Sequence, residues 1–340
     1  MNIVFRADAS NLIGSGHIMR CLTLASELKK HNHEISFICK KMEGDLVDLI
    51  KDNNFIGYSI SNSKWEEDAI ETINILEKIN PDLLIIDHYS IDIKWEKKVS
   101  SFVSKILVID DLANRQHHCD YLLDQNFYLQ ENERYKNLLN ANTIQLIGAE
   151  YALLRNEFTE NKKGLLKKNI KNFFVYFGAA DISNETQKVL SALIEISKDF
   201  EITIDVVIGY SNNNKDELYG ICTKYPFINI HKQTNEISKL MVKSDISIGA
   251  GGSTTWERCC IGLPSIVIPV ASNQVLPMEE LSKAKAIILI KDPSIDDYKQ
   301  VILKTLKMTL SEINQLIQNG FQIFDGLGVK RVTKIIEEMK

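Results

Sequence analysis

The chain has no long hydrophobic run: no stretch of its 340 residues approaches the roughly 18 consecutive apolar residues that a membrane span needs. The first apolar stretch is broken by Arg6 and Asp8, so it does not read as a membrane anchor, and a cytoplasmic protein that does not bind membranes is expected. Basic residues are in deficit, with 40 Lys and Arg against 45 Asp and Glu and a net charge of −5. Neutralising a phosphate backbone requires a basic face, so a general nucleic-acid binder is excluded. Cysteine is sparse, with six residues and no C-x-x-C pair, and a chain of this length does not need disulfide staples. The one cluster with metal-binding residue types, "HHCD" from His117 to Asp120, is contiguous instead of spaced, which makes simultaneous tetrahedral ligation awkward. No Asp-x-Asp pair occurs anywhere, and so no diphosphate-bound divalent ion has its usual acidic holder. No metal and no cofactor are expected.

What is present is a steady alternation of strand-like and helix-like segments. "NIVFRAD", "EISFIC", "DLLIID" and "KILVID" are near-continuous apolar runs, and between the first two the residues Ile18, Cys21, Leu22, Ala25 and Leu28 recur at helical spacing. Apolar runs separated by helices predict a parallel sheet covered on both faces. From about residue 160 to 172 the sequence turns polar and basic, "ENKKGLLKKNIKN", as domain linkers do, and then the pattern restarts with "FFVYFG", "ITIDVVIG", "DISIGA" and "SIVIPV". The expectation is α/β, with two Rossmann-like domains, 1–160 and 173–325, facing each other across a cleft.

Ligands of open α/β sheets bind beyond the carboxyl ends of the strands, so the candidate residues are those that follow each strand. In "GAGGSTTWERCCIG", the glycines Gly251 and Gly252 allow close backbone approach, Ser253 stands at an N-cap position, and Thr254 opens a short helix whose amides suit a pyrophosphate. Glu257, one turn in, is placed to accept from ribose hydroxyls. Gly178 in "YFGAAD" offers a second turn of the same kind, with Ser183 or Asn184 as the expected helix cap, and Asn273 follows a later strand.

The segment "IGSGHIMR" raises more than one reading: a dinucleotide loop, a phosphate cradle, a catalytic mount or a tight turn. Gly14-Ser15-Gly16-His17 lacks the third glycine of the dinucleotide fingerprint, and Cys39-Lys40-Lys41 stand where an acidic residue should end the second strand, so NAD binding is not expected. His17, at a helix start beside Arg6 and Asp8, is the best candidate for a general base. "IIDHYS" delivers Asp87 and Tyr89 to the same rim; Tyr89 suits a sugar, while Asp87 and Asp111 read as caps of the turns that follow.

Taken together, "FRADASNLIGSGHIMRCLTLA", "DLLIIDHY", "DDLANRQHHCDYLLDQN", "FGAAD" and "GAGGSTTWERCCIGLPSIVI" resemble the UDP-sugar hydrolases of pseudaminic acid biosynthesis, over about residues 1 to 290. The resemblance implies a glycosyltransferase B-like fold similar to that of the MurG transferase, with residues 326–340 forming a helix that crosses back to the first domain. It implies metal-independent hydrolysis of UDP-2,4-diacetamido-2,4,6-trideoxy-β-L-altropyranose, by C–O cleavage with inversion, in a monomer. Carried over, His17 is the base, with Tyr89, Asn273 and Asp8 among the catalytic residues. Gly178, Gly251, Gly252, Ser253, Thr254 and Glu257 hold the UDP moiety, and Gly16 serves the turn. The rival readings are a glycosyltransferase of the same fold acting on a hydroxyl acceptor, a related amino-sugar hydrolase of spore or surface polysaccharide synthesis, and a non-catalytic sugar-nucleotide binder.

Overall fold

The structure is a computed structural model that describes residues 1–10, 13–61, 64–130, 133–232, 234 and 236–339. It divides the chain into two units, Met1–Leu154 with Leu327–Lys340 and Arg155–Gly326.

In the first unit, β1 (Asn2–Ala7), α1 (Gly16–Lys30), β2 (Glu34–Lys40), α2 (Val47–Asp52), β3 (Ile56–Ile60), α3 (Trp65–Ile79), β4 (Leu83–Asp87), α4 (Ile93–Val99), β5 (Lys105–Ile109), β6 (Tyr121–Asp124) and β7 (Ile144–Ile147) follow one another. The strands form one sheet in the order β3-β2-β1-β4-β5-β6-β7, and every pair is parallel. Alternate side chains leave opposite faces, so Ile3 and Phe5 pack with Phe37, Ile18 and Leu22 on one side, while Val4 packs with Ile38, Leu84, Ile86 and Trp95 on the other. Burial on both faces explains why these strands read as apolar runs without alternation.

The second unit runs α5 (Asn156–Glu160), β8 (Asn172–Tyr176), α6 (Glu185–Ile196), β9 (Thr203–Ile208), α7 (Lys215–Cys222), β10 (Ile228–Lys232), α8 (Ile237–Lys243), β11 (Ile246–Ala250), α9 (Thr254–Ile261), β12 (Ser265–Ile268), α10 (Ser272–Lys283), β13 (Ile288–Leu289), α11 (Ile295–Leu306) and α12 (Leu310–Ile323). Its sheet is again parallel, in the order β10-β9-β8-β11-β12-β13. In each sheet the strand order reverses beside the first strand, between β1 and β4 and between β8 and β11, which is where such folds place their ligands.

The division differs from the expected linker at 160–172. Phe158 is fully buried, and Leu166 packs with Ile313, Leu316 and Ile317, so this polar-looking segment is part of the second unit. Apolar residues spaced among lysines anchor it, and the chain leaves the first unit at Leu154. The final helix, α13 (Gly328–Glu337), belongs to the first unit, where Val329, Val332 and Ile336 join the cluster of α1. No helix among the described residues is long and apolar enough to cross a membrane.

Candidate active site

At the carboxyl end of the first sheet the chain leaves β1 through a turn that Gly14 makes at φ 82°, where its amide donates to the Ser10 carbonyl at 2.8 Å. Gly16 has an ordinary φ, and open space stands where its side chain would be, so Gly14 serves the turn and Gly16 leaves room at the first residue of α1. Asn11 and Leu12 of this motif lie outside the described residues. His17 follows, buried, at the start of α1.

Its partner comes from the end of β4. His17 Nδ1 lies 2.6 Å from Asp87 Oδ1, and Arg20, one turn further along α1, donates to both oxygens of the same carboxylate at 2.6 Å each. Asp87 is fully buried. Burial alone would raise its carboxyl, but Arg20 and then His17 more than offset that and hold it well below the usual carboxylate range. An ionised Asp87 requires Nδ1 to carry the proton, which leaves Nε2 as the acceptor, and Nε2 has no hydrogen-bond partner among the described residues. Tyr89 meets the His17 ring edge-on, with centroids 4.5 Å apart, and its hydroxyl donates to Asp111 at 3.3 Å. Arg20 also reaches Asp111, at 3.2 Å.

Asp8, expected beside His17, makes no hydrogen bond to it among the described residues. Its carboxylate accepts from Arg6 at 2.5 and 3.3 Å, from His88 Nε2 at 3.0 Å and from the Lys40 amide at 2.7 Å. Those four bonds fill its acceptor positions. Burial pushes Asp8 up, yet His88 and Arg6 bring it well below the normal range, so it is a fixed anion that braces the ends of β1, β2 and β4. Asp87, which the sequence reads as a turn cap, is the carboxylate beside His17, and Arg20 joins the pair without having been foreseen. The "HHCD" cluster is dispersed. His117 Nδ1 lies 2.6 Å from the buried Glu96, whereas His118 turns to Asn140, and no metal-binding group of three or more His, Cys, Asp or Glu is found among the described residues.

In the second unit, β11 ends at Ala250 and the glycine turn leads into α9. Ser253 occupies the N-cap position but makes no capping bond, and among the described residues the amides of Gly252, Ser253 and Thr254 donate to nothing. Three unclaimed amides at a helix start make an anion-receptive surface. Behind them lies Arg258, wholly buried, donating to the Ala250 carbonyl at 2.5 Å, Thr255 Oγ1 at 2.8 Å and Ser247 Oγ at 3.3 Å. All three hydrogen-bond partners are neutral, and burial pulls the guanidinium down to about 10, with the charge of nearby Glu257 offsetting only part of that. Gly249 makes room for it: a side chain there would come within 2.6 Å of Arg258 Nη1. Glu257 accepts from Arg155 at 3.2 Å; burial raises its carboxyl and Arg155 offsets only part of that.

Gly178 turns at φ 87° after β8. The start of α6 beyond it is already claimed, because Asp181, and neither Ser183 nor Asn184, accepts from the amides of Glu185 and Thr186 at 2.9 and 3.0 Å. Asn273 lies in the first turn of α10, and its neighbour Gln274 accepts from the Val270 amide at 2.9 Å and flanks Gly251 and Gly252.

A protein of Campylobacter jejuni named UDP-2,4-diacetamido-2,4,6-trideoxy-beta-L-altropyranose hydrolase is 33% identical to this chain over 275 residues, covering 81% of this chain and 93% of that protein. The chain belongs to this hydrolase family. The family model for the glycosyltransferase family 28 C-terminal domain matches residues 174–332, which begin within β8 and contain the rest of the second sheet and its glycine turn. An uncharacterized protein of Methanocaldococcus jannaschii is 32% identical over 278 residues, or 79% of this chain, and the match spans 55% of that longer protein. The MurG structure of Acinetobacter baumannii superposes with a TM-score of 0.70 and covers 99% of both chains at 13% identity, a likeness of fold alone. Within the hydrolase family fold, His17 and the loop of Gly251 and Gly252 thus stand at the carboxyl ends of two parallel sheets of the glycosyltransferase B type.

Proposed function

We propose that this chain hydrolyses UDP-2,4-diacetamido-2,4,6-trideoxy-β-L-altropyranose to UDP and 2,4-diacetamido-2,4,6-trideoxy-L-altrose, by C–O cleavage with inversion. The observation that carries the reading is the 2.6 Å contact between His17 Nδ1 and Asp87, which leaves Nε2 as a base. A water gives a proton to Nε2 as its oxygen bonds to the anomeric carbon. The bond from that carbon to the phosphate oxygen breaks on the opposite face, and the electron pair leaves with UDP. The imidazolium that forms is stabilised by Asp87.

UDP is the task of the second unit. Gly251, Gly252, Ser253 and Thr254 supply the surface for the diphosphate, Glu257 takes the ribose, and Gly178 leaves space at the neighbouring strand end. With amides and Arg258 drawing off negative charge, departure of UDP requires no metal and no general acid. Tyr89, Asn273 and the open face at Gly16 serve the sugar and its water, while Asp8 acts only by holding the frame. The name of the Campylobacter relative supports the substrate.

Proton NMR of the purified protein with this sugar nucleotide and no acceptor, run beside His17→Ala, tests the reading. Free sugar released first as the inverted anomer, with the variant silent but still binding UDP, is the expected result. UDP release only when a hydroxyl acceptor is added would replace hydrolysis by transfer.

A further inference from the structure

The first unit holds a cavity of about 180 Å³ at the carboxyl end of its sheet, made from residues that follow β1, β2 and β4 and from the starts of α3 and α4. We propose that this cavity is the subsite for one acetamido group of the sugar; the inference rests on the proposed substrate and assigns the residues that recognise it.

Three observations converge. The loop after β4 divides two neighbouring spaces. Tyr89 lies on the His17 ring, while His88 and Ser90 on either side of it line the cavity. A sugar attacked at His17 therefore has a ring substituent within reach of this space.

The cavity is chemically two-ended. Ile13, Met42, Trp65 and Trp95 provide apolar surface, and Lys40 and Ser90 carry hydrogen-bond donors. An acetamido group has the same two ends, a methyl and a carbonyl that accepts.

The wall's acids are already engaged. Asp8 has its four bonds, and Asp68 accepts from Arg6 at 2.6 Å and from the Trp95 indole at 2.7 Å. His88 is also spoken for, donating from Nε2 to Asp8 and accepting the Ser90 amide at Nδ1, 3.0 Å away. With Arg6 and Lys40 balancing Asp8 and Asp68, the charged side chains at and behind the cavity sum to zero. A neutral acylated amine suits a lining of apolar surface and balanced charge.

Trp65 is 39% exposed, so its replacement spares the fold, and Met42 is only half-buried. In the His17→Ala background, where substrate persists, saturation-transfer NMR reads the two acetamido methyls and the uracil protons of the bound sugar nucleotide. One methyl is expected to receive the stronger transfer and to lose it in Trp65→Ala and in the cavity-filling Met42→Trp, with uracil transfer unchanged. With His17 intact, Trp65→Ala should raise KM about tenfold at nearly constant kcat, and the diamino analogue lacking acetyl groups should bind this protein no better than UDP does. Methyl transfer indifferent to both variants, with uracil transfer intact, overturns the subsite and leaves the hydrolase reading standing. Methyl transfer behaving as expected in a protein that releases no sugar overturns the hydrolase reading and keeps the subsite. Absence of uracil transfer overturns both.

Discussion

His17 Nδ1 and Asp87 Oδ1 lie 2.6 Å apart across 70 residues of sequence, and the same carboxylate is gripped at both oxygens by Arg20. One buried anion thus fixes the tautomer of His17 and is itself kept ionised by a guanidinium one helical turn away. Replacing Asp87 by Asn removes the charge and allows the other tautomer. The expected loss in kcat is about a thousandfold, with UDP affinity unchanged. Because Arg20 would be left buried without its anion, Asp87→Asn should also destabilise the protein by about 3 kcal/mol. Steady-state kinetics, UDP calorimetry and denaturant unfolding separate the two effects.

Three carboxylates of the first unit should respond to pH in two opposite senses. Asp87 and Asp8 are held below their ordinary range, so the stability they contribute is present above about pH 4 and is lost as pH falls further. Asp124, buried against Arg134 at 3.0 Å and Tyr135 at 3.1 Å, is pushed up to about 7 by burial, with Arg134 offsetting only part. Its folded form keeps a proton that the unfolded chain releases near pH 4, so stability declines as pH rises from about 4 through 7. Asp124→Asn removes that slope, and its melting temperature relative to the unaltered protein should rise between pH 5 and pH 8. A constant difference would show that Asp124 does not titrate there.

Gly249, within β11, and Gly252, in the turn that follows it, separate folding from the proposed UDP binding. A side chain at Gly249 would overlap the Tyr176 carbonyl and approach Arg258, so Gly249→Ala should cost about 2 kcal/mol or more. At Gly252 the nearest atom is Gln274 Nε2 at 3.6 Å, so Gly252→Ala should melt within a few degrees of the unaltered protein. It should nevertheless weaken UDP about tenfold by holding the diphosphate off the backbone. Melting curves and titration calorimetry distinguish the pair.

Arg258 offers a cleaner probe of charge. Arg258→Met keeps much of the side-chain volume and removes the buried cation beneath the loop, so UDP affinity should fall about tenfold while uridine binding stays the same. Equal weakening of both ligands would make Arg258 a packing element only. Under the same reasoning, adding a chelator should leave UDP release unaltered.

The architecture was legible because both sheets are buried on two faces, which writes their strands as plain apolar runs. The glycine turn before Thr254 and the histidine of α1 were legible for a local reason, namely that a helix start after a strand is defined by a few adjacent residues. Long-range pairings were not. Asp87 reads as a turn cap, and Asp8, only nine residues from His17, bonds instead to Lys40 and His88, whereas His17 pairs with the end of β4. One signal was available, since Arg20 stands at i+3 from His17 and shares its helix face. Likewise, the lysines of 160–172 hid Phe158 and Leu166, whose burial ties that segment to the second unit.

The return of α13 to the first unit sets an order of events during synthesis. Val329, Val332 and Ile336 complete the cluster that contains Leu22, Ala25 and Leu28, yet they are translated after all of Arg155–Gly326. The second unit's residues are therefore all made before the first unit's last helix, and until that helix is in place one flank of α1 stays uncovered. A released chain truncated before residue 327 should hold a protease-resistant second unit and a first unit dependent on chaperones.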